Sequence, residues 1–186
     1  METTNLPSVL EIAPGDNLNY SAVKKVYDRK YAPLYKAVRR GDLKDVMKFL
    51  EAHPEGVNAI ISETGETALQ VAVTFEHLHI VKELVNMMQE GDLEWRNQYG
   101  ETALATAACT ETIEMAKCMI QKNRKLSMIP ANNGSLPVTR AVHRNKKEMA
   151  LYLYSVTPLE ELKLGKGCHG ANLLLECFLS DAIGEL

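Results

Sequence analysis

The sequence predicts an all-α solenoid in which helix-turn-helix units of one length stack side by side. Two segments, GETALQVAV from Gly65 and GETALATAA from Gly100, are nearly identical and lie 35 positions apart. Self-similarity at a period of about 20 to 50 residues is typical of stacked repeats. A helix pair of this length cannot bury its apolar face alone, so the copies are expected to pack against one another.

The period extends beyond these two segments to four units. Small and apolar residues recur at intervals of 34 or 35 positions: Ala37, Ala72, Ala107 and Ala141, together with Leu34, Leu69, Leu104 and Val138. A small side chain at a fixed position lets neighbouring helices approach closely. The alanines are therefore expected to lie in a row where successive units meet.

Each unit is predicted to contain a short helix followed by a longer one. The longer helices read DLKDVMKFL, HLHIVKELV, TIEMAKCMI and KKEMALYLY, with apolar residues three and four apart. The shorter helix is illustrated by TALQVAVTF, in which Thr67 can cap the first turn, as Thr102 can in the next unit. Gly65, Gly100 and Gly134 are expected to open the turns with positive φ.

These units resemble the ankyrin repeat. G-E-T-A-L-x-x-A followed by H-L-x-I-V-K-x-L is similar to the usual form, G-x-T-P-L-H-x-A-A-x-x-G-H-x-x-I-V-x-x-L-L. The segments PLYKAVRRGDL, EAHPEGVNA and LYLYSVTP resemble plant ankyrin proteins of the accelerated-cell-death type, which carry a C-terminal PGG-domain membrane region. The resemblance implies an ankyrin-repeat solenoid that binds proteins in plant defence or cell-death signalling, here as a short form without the membrane region.

The chain departs from the ankyrin pattern at two positions in the unit. The histidine of TPLH, which usually links adjacent turns, is replaced by Tyr35, Gln70, Ala105 and Thr139. The glycine between the two helices remains only as Gly41, and its equivalents are Glu76, Glu111 and Asn145. Positive φ on a glutamate costs about 1 kcal/mol. We therefore expect an array less stable than one with the usual residues.

The repeat boundaries predict three parts. Residues 1–28 are interpreted as a tail, disordered to about position 18, and a capping helix; residues 29–157 as four repeats; and residues 158–186 as a truncated fifth repeat or C-terminal cap. The fifth repeat is inferred from Leu174 and Cys177, which lie 36 positions after Val138 and Ala141. Terminal repeats need such covers because one apolar side is otherwise exposed.

No motif indicates an enzyme, a cofactor or a metal. Cys168, His169 and Cys177 match no zinc-ligand spacing, and GKGCHG lacks the Lys-Ser or Lys-Thr pair of a phosphate-binding loop. His77 and His79 are two apart on a predicted helix and should face different ways. The acidic residues are spread over outer helix surfaces rather than gathered in a pocket.

Charge is distributed unevenly along the chain. Lys117 to Ala150 contains eight basic residues and one acidic residue, Glu148, whereas the whole chain has 21 basic and 24 acidic residues. This basic fourth repeat could attract an acidic protein or an anionic membrane surface, or it could simply confer solubility. Nucleic acid is disfavoured because the pI is about 6.0 and no aromatic residues are interleaved with the basic ones.

No stretch of the sequence is as long and apolar as a membrane span, and the first residues lack the pattern of a secretory signal. With four scattered cysteines, this predicts a soluble, cytoplasmic protein that a membrane ankyrin partner could recruit to the plasma membrane. The resemblance places the protein-binding positions on turn tips and on the ends of the first helices. They are Arg39, Arg40, Glu66, Thr74, Phe75, Gln98, Tyr99, Glu101, Cys109, Thr110, Asn132, Asn133, His143 and Arg144.

Overall fold

The computed structural model describes residues 29–162, which form an all-α stack of helix pairs. In this range there is no strand, and the only β-type pairing is an isolated bridge between Ile60 and Thr67. The helices are α1 (Ala32–Arg40), α2 (Leu43–Ala52), α3 (Ala68–Thr74), α4 (Leu78–Met87), α5 (Ala103–Ala107), α6 (Ile113–Lys122), α7 (Pro137–His143), α8 (Lys147–Val156) and α9 (Leu159–Leu162). Short 3-10 helices follow α2, α4 and α6 at Pro54–Val57, Gly91–Glu94 and Arg124–Met128.

The first helices α1, α3, α5 and α7 pack in chain order and form one layer, while α4, α6 and α8 pack in order behind them. The core lies between the two layers. All four alanines of the 35-residue period are buried, as are Leu34, Leu69, Leu104 and Val138. The predicted all-α solenoid and its register are therefore confirmed for the residues described.

At one end of the stack, hydrogen bonds join each turn to the next. Gln98 N–H donates to the Thr64 carbonyl, and Asn132 N–H donates to the Tyr99 carbonyl, both at 3.1 Å. The indole Nε1 of Trp95 donates to the Gly65 carbonyl at 2.9 Å. We call this series of contacts the turn ladder. It sets the spacing between units at the end where α3, α5 and α7 begin.

Gln70 belongs to the turn ladder although it replaces the expected histidine. Its Nε2 donates to the Glu101 carbonyl at 2.7 Å, and its Oε1 accepts from Thr67 N–H at 3.1 Å. The side chain thus caps the first turn of its own helix and also forms a hydrogen bond to the next unit. The glutamine supplies the link for which the ankyrin pattern uses histidine.

The predicted positive φ is confirmed at Gly65, Gly100 and Gly134, and at Gly41, Glu76 and Asn145 in the turns between the paired helices. Glu111 is an exception, since Glu76 and Asn145 are the only non-glycine residues of positive φ within residues 29–162. In that third turn Thr110 Oγ1 donates to the Ala107 carbonyl at 2.9 Å and accepts from Thr112 N–H at 3.3 Å. A side-chain hydroxyl therefore closes the turn without the backbone strain expected at Glu111.

Polar contacts also join these between-helix turns from unit to unit. His77 and His79 donate from Nε2 to the carbonyls of Arg39 and Gly41, at 3.1 and 3.0 Å. Gly41 is required here by space as well as by φ, because an added Cβ would lie 2.8 Å from the His77 ring. Thr112 Oγ1 donates to Glu76 at 3.3 Å, and Lys146 pairs with Glu111. We call this second series the inter-helix ladder.

The prediction that His77 and His79 face different ways is wrong. Their ring centroids are 6.0 Å apart, and both rings lie on the turn of the preceding unit. Helical spacing does not apply to the pair because His77 is the N-cap of α4, with φ −86° and ψ 74°. Neither ring forms part of a group of three metal-ligating side chains anywhere in the described chain.

The described residues contain no helix with the length and apolarity needed to cross a membrane. The expected N-terminal cap and tail at 1–28 lie outside the described range. So do Cys168, His169, Cys177, the GKGCHG segment and almost all of the expected fifth repeat, of which only α9 is described. The boundaries given above for the three parts stay predictions.

Candidate functional site

A polar groove lies between the third and fourth units, at the side formed by the first helices. Its volume is about 250 Å³. Side chains from the turn after α5, the turn before α7, α7 itself and its C-cap line it: Cys109, Asn133, Ser135, Thr139, Arg140, His143 and Arg144. Four of these, Cys109, Asn133, His143 and Arg144, were expected to contact a partner, and the fold brings them together.

Arg140 is held in place across the boundary between the units. Its Nε donates to the Ala105 carbonyl at 3.0 Å, and its Nη2 donates to Cys109 Sγ at 3.6 Å. Its Nη1 pairs with Glu101 Oε1 at 2.8 Å, with side chains only 17 and 18% exposed. Such a partly buried, charge-assisted contact is stronger than an exposed ion pair. It fixes the guanidinium and neutralises its charge.

Two residues on the turn side of the groove are also locked. Asn133 Oδ1 accepts hydrogen bonds from Ser135 N–H at 3.1 Å and from Ser135 Oγ at 2.6 Å. Both interactions stay within the turn, so they orient the Asn133 side chain while leaving its Nδ2 group available. These two hydrogen bonds orient the side chains on the turn side of the groove.

Arg144 differs from Arg140 because its charge is not neutralised. The residue is exposed at the C-terminal end of α7, and its guanidinium makes no hydrogen bond or ion pair with any other residue between 29 and 162. The groove consequently combines one paired arginine, one unpaired arginine, a histidine and uncharged polar side chains. An unpaired guanidinium favours a negatively charged group beside it.

Comparison with protein families identifies one unit of the stack. Residues 64–97 match the family model described as "Ankyrin repeat". This segment is an ankyrin repeat. A search of curated proteins finds no match to the chain. Because helix pairs of the same register lie on both sides of residues 64–97, the described chain is an all-α ankyrin solenoid.

Several of the expected contact residues in the turns already form hydrogen bonds or ion pairs within the stack. Glu66 accepts from the hydroxyls of Ser62 and Thr64 at 3.0 and 2.7 Å, and Glu101 is paired with Arg140. Gln98 and Asn132 take part in the turn ladder, in which Asn132 Nδ2 also donates to the Gln98 carbonyl at 3.3 Å. Tyr99, by contrast, has 57% of its surface exposed.

The expected contact residues at the helix ends also divide into residues that are bonded or buried within the stack and residues that remain exposed. Thr110 is buried in its turn, Thr74 donates its hydroxyl to the Gln70 carbonyl at 3.0 Å, and Arg40 pairs with Asp45 at 3.0 Å. Phe75 remains 39% exposed. The Arg39 guanidinium lies 5.6 Å from its ring centroid, and the His77 ring stacks on it at 6.4 Å. This aromatic site belongs to the first two repeats.

Sequence reasoning missed two residues that shape the groove. The sequence indicated Arg140 only as one of the basic residues. A signal for its role was present in the repeat register, where Arg140 is equivalent to Val71 and Thr106 and lies inside a short first helix that packs on the first helix of the preceding unit. Thr139 is only 3% exposed, and its hydroxyl has no hydrogen-bond partner. Their joint placement depends on the offset between neighbouring repeats, which periodicity alone does not give.

Several of the basic residues between Lys117 and Lys147, which belong to the third and fourth repeats, are bonded within the stack. Lys122 donates to the carbonyls of Val85 and Asn86, at 2.6 and 3.1 Å, at the C-terminal end of α4. Lys146 pairs with Glu111, and Lys117 lies 3.9 Å from Glu114. Lys122 and Lys146 thus reach a neighbouring repeat, as Arg140 does, whereas Lys117 pairs within its own helix. Arg124, Lys125 and Arg144 remain exposed.

Proposed function

We infer that this protein is a non-catalytic protein-interaction module whose partner contacts the side formed by turn tips and first helices. The observation that carries the inference is the groove around Arg140 and Arg144. It is formed by two adjacent repeats, open to solvent, and lined by oriented polar groups. Ankyrin repeats generally mediate protein–protein interaction, and ligand pockets for whole small molecules are usually larger, about 300 to 1,000 Å³.

The partner that we propose is a membrane-bound ankyrin-repeat protein, and the process is plant defence or cell-death signalling. Support comes from the resemblance of PLYKAVRRGDL, EAHPEGVNA and LYLYSVTP to the plant proteins of this type. The protein would act in the cytoplasm and reach the plasma membrane through that partner. Surfaces that stack repeats within a chain can also stack repeats between chains.

Affinity capture from plant cells, with candidate membrane ankyrin proteins co-expressed, tests this function. Arg144→Glu reverses the charge of the groove, and Phe75→Ala removes the exposed aromatic ring. The matched controls are Arg124→Glu, an exposed arginine on the 3-10 helix after α6, and Leu151→Ala, an exposed apolar residue on α8. We expect Arg144→Glu or Phe75→Ala to reduce the captured partner at least about fivefold, since few interface residues dominate binding energy.

The two controls are expected to retain the partner at the wild-type level. Equal loss with all four variants would assign the effect to general destabilisation, and equal retention with all four would contradict the proposed surface. Sedimentation with phosphatidylserine vesicles at low and high salt tests the alternative, a peripheral binder of anionic membranes. Salt-sensitive binding that is lost with Arg124→Glu and Lys125→Glu would favour this alternative over a protein partner.

A further inference from the structure

We propose that the groove between repeats 3 and 4 is a subsite for one aspartate or glutamate side chain of an extended partner segment. The proposal rests on the protein-binding function above and specifies its chemistry. The Arg144 guanidinium would bind the carboxylate, and the Asn133 amide would donate a second hydrogen bond from the opposite side of the groove. Arg140 would form the fixed wall between them.

The size of the groove suits one side chain. A cavity of about 250 Å³ is smaller than the usual pocket for a drug-sized molecule but large enough for an anchoring residue with its flanking backbone. The residues that line the groove extend from the turn at Ser135 to the helix end at Arg144, and the groove is open to solvent, as binding of an extended segment requires. A peptide chain meets that requirement.

The charges favour a carboxylate over a phosphate. Arg140 is already neutralised by Glu101, which leaves the Arg144 guanidinium to balance a ligand charge. A carboxylate brings one negative charge, whereas a phosphate group brings about 1.5 to 2 at neutral pH and is usually met by several cations.

The groove is organised before any ligand arrives. Three contacts hold Arg140, two hydrogen bonds hold Asn133 to Ser135, and the Cys109 thiol is 3.8 Å from the Ala105 carbonyl. Side chains that are already ordered lose little further freedom on binding.

The test is a titration of the isotope-labelled full chain with capped tripeptides, followed by NMR. The probe is acetyl-Ala-Glu-Ala-amide, and the comparison peptides carry Gln or phosphoserine in place of Glu. We expect saturable shifts at the backbone amides of Cys109, Ser135 and Arg144. The dissociation constant should be on the order of millimolar, as for a ligand with a single charged anchor. The Gln peptide should bind at least about fivefold more weakly.

Variants assign the binding to the groove. Arg144→Glu should weaken binding of the Glu peptide by about tenfold or more. Arg144→Lys keeps the charge and should therefore weaken binding less than Arg144→Glu. Arg124→Glu should leave the affinity for the Glu peptide unchanged. The proposal is overturned by equal binding of the Glu and Gln peptides, by shifts that lie outside the groove, or by wild-type affinity in Arg144→Glu. Tighter binding of the phosphoserine peptide would also overturn it and assign the groove to phosphopeptides.

The result is separable from that of the capture experiment. If the partner is captured and lost with Phe75→Ala but the Glu peptide does not bind, the interaction function stands and the acidic subsite fails. If the Glu peptide binds at the groove but no ankyrin partner is captured, the subsite stands and the proposed partner fails. Each proposal therefore has its own decisive measurement.

Discussion

Replacing Gln70 is the sharpest test of how the repeats are linked. The side chain is 1% exposed, accepts from Thr67 N–H and donates to the Glu101 carbonyl. Gln70→Ala leaves both backbone groups without these partners. A buried polar group left unsatisfied costs about 1 to 3 kcal/mol. The Glu101 carbonyl still accepts from Asn97 N–H at 3.0 Å, so the group left unsatisfied is Thr67 N–H. Together with the lost hydrogen bond to Glu101, we expect a total loss of about 3 kcal/mol in the free energy of unfolding.

Urea unfolding followed by circular dichroism measures this loss. With a slope of about 2 kcal/mol per molar urea for a domain of this size, the midpoint should fall by about 1.5 M. Gln70→Met keeps most of the side-chain volume but neither hydrogen bond, so it should cost nearly as much as Gln70→Ala. Gln70→His restores one donor and one acceptor, so it should cost less than about 1 kcal/mol.

The pattern across the three variants decides the reasoning. If the free energy of unfolding of Gln70→Met is within about 0.5 kcal/mol of the wild-type value, the hydrogen bonds of Gln70 do not hold repeats 2 and 3 together. The loss of stability in Gln70→Ala would then come from lost packing. If Gln70→His is as damaging as Gln70→Ala, the glutamine does not perform the role that histidine has in the ankyrin pattern. Either result would refute the linking role.

Four further predictions concern backbone strain, an orphan hydroxyl and a thiol. Gly100→Ala should lower the free energy of unfolding by at least about 2 kcal/mol in the same urea assay, because φ is 69° and an added Cβ would lie 2.1 Å from Asn132 Oδ1. Glu76→Gly should raise it by about 0.5 to 1 kcal/mol by relieving positive φ at 55°, and a decrease would mean that the carboxylate contact outweighs the strain. Thr139→Val should raise it by about 1 kcal/mol, since the buried hydroxyl has no partner, and unchanged or lower stability would show that the hydroxyl is satisfied by water. Burial raises the pKa of the Cys118 thiol, so its alkylation rate by iodoacetamide, followed by mass spectrometry, should keep rising above about pH 9, where the same cysteine in urea has begun to level off.

The sequence predicts the stack well because the features that define it are strictly periodic. Ala72 and Ala107 must be small for helices to meet, and Gly65 and Gly100 must adopt positive φ. These requirements act within one unit or between identical positions of neighbouring units. A repeated pattern therefore carries them without knowledge of the three-dimensional arrangement.

What the sequence does not predict arises where units differ. Glu111 escapes the strain of Glu76 because Thr110, one residue earlier, closes the turn with its hydroxyl, whereas Phe75 cannot do so. The rings of His77 and His79 lie close together because His77 is the N-cap of α4 and does not have the helical conformation that the sequence pattern predicts. In each case one non-repeated side chain changes a local conformation, and an average pattern does not contain that change.

The two ladders also restrict what a partner can use. Arg40, Glu66, Glu101, Lys122 and Lys146 are each engaged in an ion pair or a hydrogen bond within the described chain. A partner that recruited these groups would have to break existing contacts, so they can add little net binding energy. Part of the basic charge between Lys117 and Lys147 therefore helps to hold the solenoid together, through Lys122, Arg140 and Lys146. Recognition has to come from the exceptions, an unpaired guanidinium and a few exposed rings, and this is why single substitutions at those positions should separate binding from folding.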